Sequence, residues 1–215
     1  MHKIPENKIL ITILSCHAQS SRMKDCLGTW IPLLNNNYHV IFLLGDEYLK
    51  SSSRLEIIDN KVSYLTLKVD DSFNGVSLKM KLMFDYLSKN TNLPYYWFTD
   101  NDTYVNTKLF NNFKDYSADW YGFGPMSHLD NGVNYNFMSG CGHYMSKSFV
   151  KLAAIKLPNW GHAYDAALGK VFNENKYFKR KYSSSIYPWS GDTKIDNLMI
   201  GHYVKDMQKM HSFYV

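Results

Sequence analysis

No apolar run in the 215 residues reaches the roughly 20 residues that a membrane-spanning helix requires. The run ILITIL at 9–14 has the length of a strand and follows a proline and several charges, which is not the pattern of a signal peptide. Cysteine is scarce as well: Cys16, Cys26 and Cys141 make neither an even disulfide set nor a metal-spaced cluster, and a reducing compartment is the simplest home for them. The expectation is therefore a soluble, cytoplasmic protein with no membrane span. Low-complexity tracts are missing, which excludes a disordered chain. Charge of one sign is also in short supply, since 24 Lys and Arg against 19 Asp and Glu leave a net charge of only +5. That balance suits an enzyme for an anionic substrate without requiring one. The densest basic run, KYFKRKY at 176–182, is too short for a nucleic-acid stripe and reads as a solvated face, so no nucleic-acid partner is expected. The Asn, Lys and Tyr usage is that of an AT-rich genome, and a viral source is one reading of it.

What the chain does have is a content of 45% apolar and 16% aromatic residues, enough to bury one sizeable core. Neither a linker nor an internal repeat interrupts it, and one domain over 1–215 is expected. Strand-length apolar runs recur at 8–14, 39–44, 61–69 and 95–98, and segments of helical pattern separate most of them. SSRMKDCLGTW opens on a serine suited to capping a helix. SLKMKLMFDYLSKN sets Leu78, Leu82 and Tyr86, with Met83 and Leu87 one position on, along one face. Further helices are expected at 146–155 and 162–172. Alternating strands and helices predict an α/β sandwich of Rossmann type, with a mostly parallel central sheet flanked by helices. In such sheets ligands gather at the carboxyl ends of the strands. Those ends carry Cys16-His17, Gly45-Asp46 and Asp100-Asn101-Asp102.

The last of these belongs to the stretch YYWFTDNDTYVN at 95–106. Side chains alternate along an extended backbone, so Asp100 and Asp102 are expected to project to one side and Asn101 to the other. Two adjacent carboxylates with room for water or phosphate oxygens suit a hard divalent ion such as Mn²⁺ or Mg²⁺. Asp, Asn and Thr are also ordinary turn formers after a strand, and both readings stand at this point.

In their order along the chain, these segments resemble the Fringe-related inverting β-1,3-glycosyltransferases, which have a GT-A fold and use UDP-sugars. WFTDNDTYVN is similar to that family's aromatic strand, acidic triplet and Tyr-Val pair, and VSLKMKLMFDYL to the helix before it. SRMKDCLGTWIPLL, IFLLGDE, FMSGCGHYMSK, AYDAALG and MHSF resemble further family segments. The resemblance implies a nucleotide-sugar-binding half over 1–106 and an acceptor-side half over 107–215. It puts the direct metal ligand at Asp102 with Asp100 beside it, and gives His211 of the late His-Ser pair the completing metal contact. Arg22, Asp46, Lys79, Asp100, Asn101, Gly140 and Gly142 fall in the donor pocket, and Asp165 becomes the catalytic base. The implied partners are a UDP-sugar donor and a glycan or glycoprotein acceptor. Trp120, Trp160 and Trp189 are aromatics that could stack on sugar rings or equally fill the core.

Asn101 stands where the family usually has Asp, and Tyr164 where an acidic residue usually precedes the catalytic Asp. Both features favour an alternative, a carbohydrate- or nucleotide-binding module of the same fold without turnover. A nucleic-acid-binding role is the remaining alternative and rests on the 176–182 run alone.

Overall fold

A computed structural model describes residue 4 and residues 8–215. Residues 1–3 and 5–7, part of the N-terminal stretch read above for a signal pattern, lie outside the described residues. The chain begins with β1 (Ile9–Leu14), a 3₁₀ turn (His17–Gln19), α1 (Ser20–Gly28) and a second 3₁₀ turn (Ile31–Leu33). β2 (Tyr38–Gly45), β3 (Ser53–Ile57) and β4 (Val62–Leu67) follow, then a 3₁₀ turn (Phe73–Gly75), α2 (Val76–Asn90), β5 (Tyr95–Asp100), β6 (Tyr104–Val105) and α3 (Thr107–Phe110). The second half holds β7 (Trp120–Gly122), β8 (Met126–Asp130), β9 (Val133–Phe137), β10 (His143–Ser146), α4 (Lys147–Lys156) and α5 (Tyr164–Asn173). β11 (Arg180–Tyr182), β12 (Ile186–Tyr187), β13 (Ile200–Gly201) and α6 (Met207–Ser212) complete it.

An eight-stranded sheet runs β11-β7-β10-β5-β1-β2-β4-β3, so both halves of the chain contribute strands. β4, β2, β1 and β5 are mutually parallel, while β10 runs antiparallel between β5 and β7. The parallel strands are apolar on both faces because both are covered. Leu10, Ile41, Leu43, Tyr96 and Phe98 pack against α2, α4 and α5; their neighbours Ile11, Val40, Phe42 and Trp97 pack on the opposite side with Met23 and Cys26 of α1 and Met207 and Met210 of α6. Among the described residues no helix is long and apolar enough to cross a membrane.

Two local expectations change. Ser20 does not cap α1, because the preceding 3₁₀ turn leads straight into the helix and the capping position falls to Gln19 without a side-chain bond. The buried arc of α2 is Val76, Ser77, Lys79, Met80, Met83, Phe84 and Leu87, with Leu82 and Tyr86 packed half-buried beside it, whereas Leu78 is exposed. Ser146 does cap α4, accepting from Phe149 N at 3.2 Å. The basic run at 176–182 lies at the surface, with Phe178 and Arg180 half-buried: Lys181 pairs with Asp115, and the Arg180 guanidinium lies over the rings of Phe172 (4.8 Å) and Tyr182 (5.4 Å).

Candidate active site

The parallel strands deliver their carboxyl ends to one edge of the sheet, and a cavity of about 630 Å³ opens there. One wall comes from the first half of the chain, including Ser15, Gln19, Arg22, Asp71 and Lys79. The other comes from the second half, including Met126, His128, Phe137, Gly140, Tyr164, Asp165 and Trp189. Asp100, Asp102 and His202 also line it.

β5 ends at Asp100, and Asn101-Asp102 form a turn before β6. Both carboxylates still converge: His202 Nε2 lies 2.8 Å from Asp102 Oδ1 and 3.3 Å from Asp100 Oδ2. Pairing far apart in sequence creates this contact. β13 pairs antiparallel with β6, Gly201 opposite Tyr104, and Val204 N donates to Asp102 O at 3.0 Å, so residue 202 meets the acidic turn. The other ring nitrogen of His202, Nδ1, donates to Pro188 O at 3.1 Å. One oxygen of each carboxylate and one imidazole nitrogen lie within 4.8 Å of one another, as metal ligands would. Burial opposes protonation of His202, but the two carboxylates prevail and carry its pKa up to about 10. Burial raises the pKa of Asp100, whose Oδ1 has no hydrogen-bond partner.

His211 is not in this group. It lies on α6 with Nδ1 3.4 Å from Tyr104 Oη, because Met207 and Met210 hold the helix against the face of the sheet that carries α1. The histidine beside the carboxylates is His202. Asn101 faces away from the pair although the backbone here is a turn rather than an extended strand, and its Nδ2 donates to Ser15 Oγ (2.9 Å) and Gln19 Oε1 (2.8 Å). Arg22 Nη1 stands 3.4 Å from Asp102 Oδ2.

Lys79 is 1% exposed, and its ammonium reaches Ser15 O at 2.9 Å and the Asp71 carboxylate. Asp71 is the centre of this wall. Its oxygens accept from four donors: His17 N (2.7 Å), His17 Nδ1 (2.9 Å), Gly45 N (2.7 Å) and Lys79 Nζ. It thereby joins the loops after β1, β2 and β4 to α2. Burial works against its ionisation, yet Lys79 and His17 outweigh burial and hold its pKa below the ordinary carboxylate value. Asp46 has a smaller part, accepting from Tyr48 N at 3.0 Å in the turn after β2, outside the cavity lining.

On the second wall, Asp165 sits in the first turn of α5, where helix N–H groups favour a negative charge. Its Oδ2 accepts from Gly140 N at 3.1 Å and its Oδ1 from Ala166 N at 2.8 Å. Burial nonetheless raises its pKa. Gly140 cannot carry a side chain, since a Cβ would stand 2.6 Å from the Tyr164 hydroxyl, which bonds Gly140 O. Gly142 is small for a different reason: a Cβ there would meet Ile200 Cγ2 at 2.8 Å, beneath β13 and outside the cavity lining. The loop between them is sewn to the acidic turn by Thr99 and Thr103, whose hydroxyls donate to Cys141 O. Gly169, four residues after Asp165, lets β9 lie directly on α5; a Cβ would come within 2.5 Å of Phe137 Cβ and 3.0 Å of Asn136 O. Lys170 then fastens the β8–β9 hairpin through Asp130 at 3.2 Å.

Of the three tryptophans singled out by sequence, Trp120 is fully buried, Trp160 is half-buried against His128, and Trp189 is exposed in the cavity wall. Asp71 and His202 escape the sequence reading. VDDS at 69–72 directly after a predicted strand is the signal for the first, while His202 has no local signal beyond a lone Gly-His.

No family model matches the chain, and no curated protein matches it. Among solved structures it is similar to the glycosyltransferase GlyE of Streptococcus pneumoniae TIGR4, with a TM-score of 0.52 and 10% identity over 93% of this chain and 55% of that one. It is also similar to the bifunctional glycosyltransferase WbbM, with a TM-score of 0.57 and 8% identity over 96% of this chain and 47% of that one. The chain spans about half the length of these structures. The likeness is one of fold, that of these GT-A-like glycosyltransferases, and it does not single out the Fringe-related group.

Proposed function

We propose that the protein is a divalent-cation-dependent, inverting glycosyltransferase of the Fringe-like kind. It moves a hexose or N-acetylhexosamine from a UDP-sugar to a hydroxyl of a glycan or glycoprotein. The observation that carries this reading is the meeting of Asp100, Asp102 and His202 in a cavity that also contains Asp165.

The donor set fits a cation on its own chemistry. A histidine that ligates a metal almost always gives its second N–H to a carbonyl or carboxylate, as His202 does with Pro188 O. The Oδ1 of Asp100 is buried with no hydrogen-bond partner among the described residues, and a cation at this group would satisfy it. Asp102, Asp100 and His202 would hold Mn²⁺ or Mg²⁺, which when bound supplies positive charge to the departing diphosphate. Arg22, beside Asp102 and half-exposed, is free to turn toward the same phosphates.

Asp165 takes the proton. Its carboxylate is oriented by Gly140 N–H and Ala166 N–H, and burial raises its affinity for a proton, which suits a general base. As the acceptor oxygen forms its bond to the anomeric carbon, its proton passes to Asp165. The bond from that carbon to the diphosphate oxygen breaks on the opposite side, and its electron pair leaves with UDP. Asn101, the residue that most favours an inactive binding module, has its amide turned toward Ser15 and Gln19, so having Asn there subtracts no ligand from the cation site.

Calorimetry with UDP and Mn²⁺ tests the reading. Asp102→Ala is expected to abolish Mn²⁺-dependent UDP binding, and unchanged affinity would overturn the metal assignment. Asp165→Asn is expected to keep that binding and lose transfer by two orders of magnitude or more, within the range general-base removal gives of about 10²–10⁴. Transfer at the parent rate would place the base elsewhere.

A further inference from the structure

We propose that the indole of Trp189 is the platform on which the acceptor's sugar ring stacks, so that the acceptor is a saccharide presenting a pyranose; this deepens the reading above and rests on it. Trp30, Trp97 and Trp120 are fully buried, whereas Trp189 leaves 64% of its surface exposed while lining the cavity. An aromatic surface of that size inside a concavity, rather than on a convex face, is a recognition feature.

The loop that carries Trp189 is built, not loose. His202 N donates to Tyr187 O (3.0 Å), Gly191 N to His202 O (3.1 Å) and Ser190 Oγ to His202 O (3.0 Å). Gly191 takes a left-handed φ of +51°, and Gly201 lacks the Cβ that would stand 2.5 Å from Ser190 Oγ. The indole is steadied by Phe123, ring centroids 6.1 Å apart at 83°. The loop is therefore fixed at both flanks to His202, and the platform stays in register with the cation site.

The chemistry around the indole selects a pyranose over other occupants. A sugar ring offers an apolar C–H face to an aromatic and hydroxyls at its rim. His128, Ser139 and the Asp165 carboxylate line the same cavity and offer polar groups for such hydroxyls. A lipid chain or apolar peptide would displace water from these polar groups without giving them new hydrogen bonds, which costs free energy. A stacked nucleobase is the remaining competitor.

The test uses Trp189→Phe, Trp189→Ala and the parent. Indole N–H resonances are followed by NMR as methyl glycosides of glucose, galactose, mannose and N-acetylglucosamine are added, each with and without UDP and Mn²⁺. One indole signal, the one lost in Trp189→Phe, is expected to shift with at least one glycoside. Trp189→Ala is expected to raise the acceptor KM roughly tenfold, the scale of one aromatic stacking contact, with Phe retaining most of the affinity and UDP binding within twofold of the parent. No movement of that signal with any glycoside overturns the proposal. So does a marked loss of UDP binding in Trp189→Ala, which would make the indole a nucleobase platform. If the parent fails to bind UDP with Mn²⁺, the transferase reading falls, and the glycoside titration without nucleotide still decides whether Trp189 receives a sugar.

Discussion

On the wall built by the first half of the chain, the Asp71 carboxylate accepts four hydrogen bonds from three segments and Lys79 is 1% exposed. On the wall built by the second half, Asp165 is held by two backbone N–H groups and Trp189 presents most of its indole to the cavity. The first wall is a polar knot with its bonds already made. The second is shaped by missing side chains, Gly140 and Gly169, and keeps its surface open. Under the proposed function, a constant donor would suit the former and an acceptor of variable shape the latter.

The contrast breaks most sharply at Lys79. Lys79→Met leaves the partly buried Asp71 and Ser15 O without the ammonium, and a loss of roughly 3 kcal/mol is expected from removing one member of such a pair. Acid titration gives a second readout. Because the folded pKa of Asp71 is depressed, its stabilising contribution is present above the unfolded value and is lost as pH falls through the folded one. Denaturant midpoints measured down the acid range should lose that component in the variant; an unchanged acid limb would show that Asp71 does not depend on Lys79.

Gly169→Ala attacks the second wall instead. The new methyl collides with Phe137 Cβ and Asn136 O, so thermal unfolding should report a loss of about 2 kcal/mol, as overpacking gives. UDP and Mn²⁺ binding should survive, since the hairpin moves and the acidic turn does not.

His143, on β10 and outside the cavity lining, adds a separate pH readout. It is fully buried against Phe98, neither ring nitrogen has a partner among the described residues, and burial lowers its pKa to about 3. The unfolded chain takes up a proton below about pH 6.5 and the folded one does not, so stability falls as the medium is acidified. From about pH 6.5 to about pH 5 the parent should lose on the order of 1.5 kcal/mol through this group. His143→Phe keeps the ring volume and should remove that loss; the same slope in both proteins would reject the assignment. The smallest effect belongs to Trp189→Ala, within about 0.5 kcal/mol of the parent in stability because the side chain supports little else. A larger loss would make Trp189 a packing residue and erase the contrast.

The sheet was legible because its parallel strands are apolar on both faces and so stand out as continuous runs, and strand ends then located Asp100, Asp102 and the loops after β1 and β2. Asp165 drew attention only through the resemblance of AYDAALG to a family segment, and the packing of β9 on α5 explains the Gly169 of that segment. His202 was not legible, because its place depends on a two-residue strand pairing with another two-residue strand some 95 positions earlier, Gly201 opposite Tyr104, and such pairing leaves no periodicity to read. Asp71 went unnoticed because its partners, His17, Gly45 and Lys79, are scattered along the chain. Asp46 drew attention at the end of β2, yet there it was the Gly45 N–H that Asp71 required.

β10 runs against its neighbours, and this reversal governs how the molecule can vary. A parallel strand gives the ligand edge only the loop that follows it, whereas a reversed strand gives the loop that precedes it. The whole connection from β7 to β10 therefore lies at that edge, including the β8–β9 hairpin and the Gly140 loop. Since β7 and β10 are adjacent and antiparallel, a tight turn would suffice to join them, and the sheet places no demand on what is inserted. The hairpin is thus a replaceable cassette: residues 126–137 can be exchanged for a longer or shorter excursion that still fills the notch at Gly169, reshaping the wall around Asp165 while every strand pairing of the large sheet stays as it is.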